Sequence, residues 1–249
     1  FAGVIELRSG SVGSQMSGHG RRVAEHARSV AQRMGLSDNE VQNVMLAGLL
    51  HDIGKLGLPD ELLGKPFNTL TGEQRALVMK HPLIGQNILM GIEKFKEAAV
   101  LVRHHHECYD GSGYPDHLAG IAIPQGSRIL QVVNEYDSLQ IGTLVQRPLK
   151  QAEAMSFLIE NRGKRYDPVA VDAFVKLISE TQKTGVSEVP LRTMHLKPGM
   201  VLTRDQLHRD GYMLLAKGSV LTSEIIGQLI KMEHAEQHTL TLYIRQEEK

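Results

Sequence analysis

Residues 44 to 55 read VMLAGLLHDIGK, and the reading of this stretch decides the fold. At helical spacing Val44, Ala47 and His51 share one stripe, and Met45, Gly48 and Asp52 share the next. An imidazole and a carboxylate thus continue two apolar faces into a core. A buried carboxylate without a partner costs on the order of several kcal/mol, so Asp52 is expected to be paired, protonated or bound to a metal. Ser37, with Glu40 three residues on, forms a capping box that opens the helix, and Leu36 and Val41 stand at the staple positions. Gly54 suits a C-terminal stop.

Upstream, Val23, Ala27, Val30 and Met34 recur at helical spacing, and His19 lies one turn before Val23. Downstream, Thr71 with Gln74 caps a short helix that ends before Pro82. Pro82 disfavours helical geometry at His81 and can itself open the next helix. Residues 94–106 read as a helix, followed by a Gly/Pro-rich loop over 110–126. A helix over 127–139 sets Ile129, Val133 and Asp137 on one stripe, and two more amphipathic segments lie near 150–162 and 168–181. Apolar residues thin out around Lys183–Ser187, after which the period shortens. Pro198-Gly199 suits a type II turn, and Asp210-Gly211 suits a hairpin between VLTRDQL and YMLLA. A short helix near 223–233 and the alternating strand LTLYI close the chain. The expected architecture is mainly α, with a helical domain over 1–187 and a small β-rich C-terminal domain over 188–249.

Composition narrows the function. Among 249 residues, Lys+Arg and Asp+Glu are both 28, so no global basic field recruits a nucleic acid polymer or an anionic membrane. No apolar run approaches the roughly 20 residues of a membrane span. The single Cys108 excludes a disulfide framework and a Cys-based zinc finger, and it fits a reducing, cytoplasmic setting. The chain starts at Phe1, in what reads as the middle of an amphipathic segment, as a fragment lacking an N-terminal part would.

His is frequent, at 12 residues. Two histidines and two aspartates, His19, His51, Asp52 and Asp137, each extend an apolar stripe. A mixed His/Asp shell suits hard cations and imidazole-tolerant transition metals, while the lack of thiolates argues against structural zinc. His81, His105 and His106 supply nitrogens for a second ion. His105 and His106 are neighbours at a helix end, so both reach one centre only if that end loosens, as the adjacent glycine loop permits. In HHHECYDGSGYP, residues 104–115, His104 and Cys108 read as bystanders at a polar terminus.

These motifs resemble the HD-GYP domains, a branch of the HD metal-dependent phosphohydrolases. His19, HDIGK at 51–55, His81 before Pro82, His105-His106-Glu107, DGSGYP at 110–115 and Asp137 follow that family's order and approximate spacing over roughly residues 15–181. The resemblance implies an HD-type bundle of about seven helices. It also implies hydrolysis of the bacterial second messenger cyclic di-GMP to pGpG and GMP, through a two-metal centre with a bridging water or hydroxide. By position, His19, His51, Asp52 and Asp137 would hold one ion, and Asp52 would bridge to a second held by His81, His105 and His106. Iron is the favoured metal, with manganese or nickel as alternatives, and Glu107 would orient the histidines. Lys55 would contact phosphate or help protonate the leaving group. Gly113, Tyr114 and Pro115 would meet the dinucleotide, and Arg147 and Lys150, in RPLK, would grip phosphate. Gln15 stands where three-metal members carry Glu, which favours two ions; Asn134 and Leu149 also depart from the common pattern. Expected partners are cyclic di-GMP, a diguanylate cyclase or other signalling protein, a preceding sensor or receiver module, and a second copy in a homodimer. The alternatives are a catalytically weak dinucleotide sensor or docking module, and a hydrolase of another cyclic dinucleotide.

Overall fold

The computed structural model describes residues 18–63, 65–183, 188–208, 212–236 and 238–245. Gln15, the helical start at Phe1, most of the Lys183–Ser187 thinning and the Asp210-Gly211 turn lie outside them. The chain divides into two compact units, 1–180 and 181–249. The first carries α1 (His19–Arg33), α2 (Asp38–Leu50), α3 (Asp60–Leu63), α4 (Gly72–Val78), α5 (His81–Met90), α6 (Lys96–Arg103), α7 (Gln125–Ile141), α8 (Gln151–Glu160) and α9 (Pro168–Lys183). Seven of these nine have eight residues or more, as the bundle reading expects. No helix of the described residues is long and apolar enough to cross a membrane.

The core follows from the helical stripes. Helix α1 packs on α2 and α7, α2 packs on α6, and α5 lies against α6. Val23, Ala27 and Val30 of α1 meet Val44 and Ala47 of α2 and Ile129 and Val133 of α7 in one buried cluster. Helix α7 buries residues on every face, so it is the central element, and its polar Asn134, Glu135 and Asp137 are carried into the interior with it. Both expected capping boxes form: Ser37 with Glu40 on α2, and Thr71 with Gln74 on α4.

Two local expectations are corrected. Helix α2 ends at Leu50 with His51 as its C-cap, and Ile53–Gly57 is a 3-10 turn, so Gly54 is not the stop. Gly54 is needed for close approach instead, because a Cβ there would stand 2.0 Å from the His81 carbonyl oxygen and 2.7 Å from the Gly85 nitrogen. Helix α6 ends at Arg103 rather than 106, which leaves His104, His105 and His106 in a turn. That is the loosening that two adjacent histidines need to reach one centre.

The second unit pairs β1 (Glu188–Arg192) with β4 (Thr241–Arg245) and β2 (Gln206–Leu207) with β3 (Met213–Leu215), both antiparallel. Helix α10 (Ser223–Glu236) supplies Ile226 and Leu229 to a core with Leu202, Leu221, Leu242 and Ile244. Gly199 takes φ 91°, as the expected turn at Pro198-Gly199 requires.

Candidate metal centre

Four histidines reach the interior by one device. His51, His81 and His105 each follow a helical turn, and each Nδ1 donates to a carbonyl three residues back: Gly48 at 2.8 Å, Val78 at 2.7 Å and Val102 at 2.6 Å. A carbonyl only accepts, so the proton sits on Nδ1 and Nε2 is left as a bare acceptor. His19 uses Nδ1 likewise, toward Asp137 Oδ2 at 2.6 Å. The ring of His106 stacks on Tyr114, with centroids 4.8 Å apart.

Ligand atoms of His81, His105 and His106 lie within 4.8 Å of one another, and so do those of His19, His51 and Asp52. Asp52 Oδ1 stands between the groups, 3.5 Å from Nε2 of both His51 and His81. Its other oxygen accepts from Lys55 Nζ at 2.8 Å. Asp137 enters neither cluster. Arg22 holds its carboxylate through Nε at 2.6 Å and Nη2 at 2.9 Å.

These donors fit a divalent pair. The Nε2 atoms of His81 and His105 are 3.3 Å apart, an arrangement two bare lone pairs reach only with a cation or proton to share. His51 Nε2 and Asp52 Oδ1 are buried without any hydrogen-bond partner. Protonation does not resolve the conflict near neutrality. Burial pushes His51 down to about 4 and His81 down to about 3, and it pushes His105 and His106 well below the ordinary imidazole range. Burial by itself would raise Asp52, but the positive potential of His51 and of the Lys55 ammonium outweighs it and holds the carboxyl well below its usual range.

The sign of the resulting pH dependence follows. These imidazoles titrate lower folded than unfolded, so the unfolded chain binds more protons as pH falls below about 6.5. Metal-free stability should be level above that pH and decline toward pH 4, by about 1.4 kcal/mol per pH unit for each group. Denaturant midpoints of chelated protein from pH 7.5 to 4.5 check this; a flat profile contradicts neutral burial.

The GYP loop is anchored by Glu107, whose role differs from that expected. Its buried carboxylate hydrogen-bonds to no histidine of the described residues; it accepts the backbone N–H groups of Asp116 at 2.6 Å and Leu118 at 3.1 Å. Glu107→Gln should loosen that segment, costing about 1.5 kcal/mol, with faster exchange at the Asp116 and Leu118 amides as the readout. Gly113 lies so close to the preceding turn that a Cβ would meet Cys108 N at 2.1 Å. Tyr114-Pro115 is a cis peptide.

Two adjoining cavities flank the clusters. One is lined by His19, Asp52 and Lys65, the other by His81, His106, Tyr114 and Arg165, and both by Lys55, Phe67 and Ser138. Arg147 and Lys150 line neither. Arg147 pairs with Glu153 on the surface, and Lys150 is the N-cap of α8. Cys108 is buried beside Gln131, and the His104 ring meets Asp116, so neither enters the clusters. Sequence reasoning missed Arg22, Phe67, Glu135 and Arg165, whose partners are distant in the chain.

Fold and site define a helical bundle with a His/Asp cluster compatible with a divalent metal centre. The chain belongs to the HD domain family, whose model matches residues 11–169, and it carries both motifs of the HD-GYP branch. It is 38% identical over 182 residues to the cyclic di-GMP phosphodiesterase response regulator RpfG of Xanthomonas campestris pv. campestris, covering 71% of this chain and 46% of that protein. A probable cyclic di-GMP phosphodiesterase of Vibrio cholerae is 32% identical over 191 residues, covering 70% of this chain and 42% of that one. The chain thus spans less than half the length of these relatives. Among solved structures, Bd1817, an HDG"Y"P protein from Bdellovibrio bacteriovorus, superposes with a TM-score of 0.57 at 25% identity, covering 67% of this chain and 53% of that one.

Proposed function

We propose that this chain is a cyclic di-GMP phosphodiesterase acting through two divalent transition metals, iron foremost and manganese or nickel next. The observation that carries it is Asp52 Oδ1, buried, without a hydrogen-bond partner, and placed between two histidine groups beside a groove that the GYP loop borders. The names of the relatives support the substrate. His19, His51 and Asp52 hold one ion, with Asp137 as a further ligand once Arg22 yields it, and His81, His105 and His106 hold the other. Bound cations of this kind neutralise a phosphodiester and lower the pKa of water for in-line attack.

The chain's own residues supply the rest. Asp52 faces both groups, so one carboxylate sets their spacing. Lys55 lines both cavities, where its ammonium meets a phosphate oxygen and protonates the departing ribose oxygen. Tyr114, backed by His106, offers a flat surface for a purine. Gly113 and Pro115 set the loop that carries it, while Arg147 and Lys150 serve as outlying phosphate contacts. Residues 1–187 form the catalytic domain, which works in the bacterial cytoplasm behind a sensor or receiver module.

The test is chromatography of cyclic di-GMP incubated with protein loaded anaerobically with iron or manganese. Appearance of pGpG and GMP is expected. Full metal loading with no product under either metal would contradict the reading and favour a sensor that binds the dinucleotide without cleaving it.

A further inference from the structure

We propose that Arg165 is the residue that selects guanine over adenine in the bound dinucleotide, an inference that rests on the reading of this groove as a cyclic dinucleotide site. Arg165 lines the same cavity as Tyr114 and His106. Its Nε and Nη2 donate to the two oxygens of Glu135, the first at 2.6 Å and the second at 2.5 Å. The carboxylate is itself almost wholly buried and also accepts from the Tyr166 hydroxyl. The Arg165 side chain is 38% exposed against 3% for its partner, so one edge of the fork is locked on a buried carboxylate while the side chain keeps part of its surface open. The backbone around it is tied to the loop that carries Tyr114: Tyr109 N–H donates to the Arg165 carbonyl at 3.0 Å, and Asp110 N–H donates to that of Lys164 at 2.8 Å. Donor and aromatic platform are therefore fixed to one another.

The charge of the pair decides what is read. Glu135 cancels the charge of Arg165, which weakens it as a phosphate clamp. What remains is the unbound N–H groups of a guanidinium held in the same cavity as Tyr114, within which a purine stacked on that ring would be read at its edge. Guanine offers O6 and N7 there, both acceptors, and arginine matches them. Adenine offers N7 and an N6 amine, and the amine meets the guanidinium donor to donor. Selection by an oriented donor is worth about 10-fold or more.

The experiment compares dissociation constants and kcat/KM for cyclic di-GMP and cyclic di-AMP in metal-loaded wild type, Arg165→Gln and the double variant Glu135→Gln/Arg165→Gln. The double variant removes the carboxylate that the single change would leave buried without its cation. Because each ratio is internal to one protein sample, partial unfolding cancels. Wild type should prefer the guanine dinucleotide by about 10-fold or more. Both variants should bring the ratio close to one, the loss falling on affinity and kcat/KM for the guanine dinucleotide. A ratio that persists in the variants, or a wild type indifferent to the base, overturns the assignment. A wild type that binds the guanine dinucleotide selectively but releases no pGpG or GMP defeats the phosphodiesterase reading alone, and the binding ratios then decide on Arg165.

Discussion

Asp52→Ala should abolish metal retention and turnover together while leaving the metal-free fold intact. The side chain is the only carboxylate placed between the two histidine groups of the described residues, with one oxygen 3.5 Å from both His51 and His81 and the other on Lys55. On the proposed reading its removal would withdraw a ligand from each ion at once, so activity should fall to near background. Stability should change less, because two effects oppose. Oδ1 is buried without a hydrogen-bond partner, so its removal relieves desolvation, while the ion pair with Lys55 and the favourable field that holds the carboxyl ionised are lost. The metal-free variant should therefore unfold within about 2 kcal/mol of wild type. Metal content after desalting, turnover, and denaturant midpoints in chelator separate the two effects. A variant with wild-type metal content or rate would contradict the assignment.

Gly113→Ala should be the most damaging single methyl group in the GYP loop. The added Cβ would stand 2.1 Å from Cys108 N and 2.5 Å from both Glu107 Cα and the His106 carbonyl oxygen. All three are backbone or Cα atoms, so no rotamer can yield. Moving them displaces His106 itself, because Tyr114 N–H donates to the same carbonyl at 3.2 Å. The expected cost is about 3 kcal/mol, or roughly 10 °C in melting temperature for a unit of this size. Affinity for the dinucleotide should be lost even where the helical core survives. Wild-type melting and binding would show that the loop is not pressed against the turn that carries the histidines.

The parts of the fold that depend on neighbours in the chain were legible beforehand. The Ser37/Glu40 and Thr71/Gln74 boxes are three-residue patterns, and the stripes through Val23, Val44 and Val133 need only a helical period. His19, His51 and Asp52 were singled out the same way, since each continues such a stripe, and the structure brings their ligand atoms together; His81, His105 and His106 were singled out by residue type and by the family resemblance, and they form the second group. What failed depended on distant contacts. Gly54 sits at a helix end, where a stop is the local expectation, yet its reason is the His81 carbonyl 27 positions away. Glu107 follows His106 directly, so an orienting role is the local reading; its true partners are amides 9 and 11 residues on. Arg22 and Arg165 look like ordinary surface cations until Asp137 and Glu135 are brought to them from 115 and 30 residues away. Strand β1 was missed because a five-residue strand holding Pro190 has too little alternation to register without β4 beside it.

The central claim, that two ions are held between the histidine groups, is tested most directly by anomalous scattering from crystals of the iron-loaded chain. Two peaks are expected, one against His81, His105 and His106 and one against His19, His51 and Asp52. A fully active protein whose crystals show no anomalous peak at either group, or peaks only elsewhere, would contradict it.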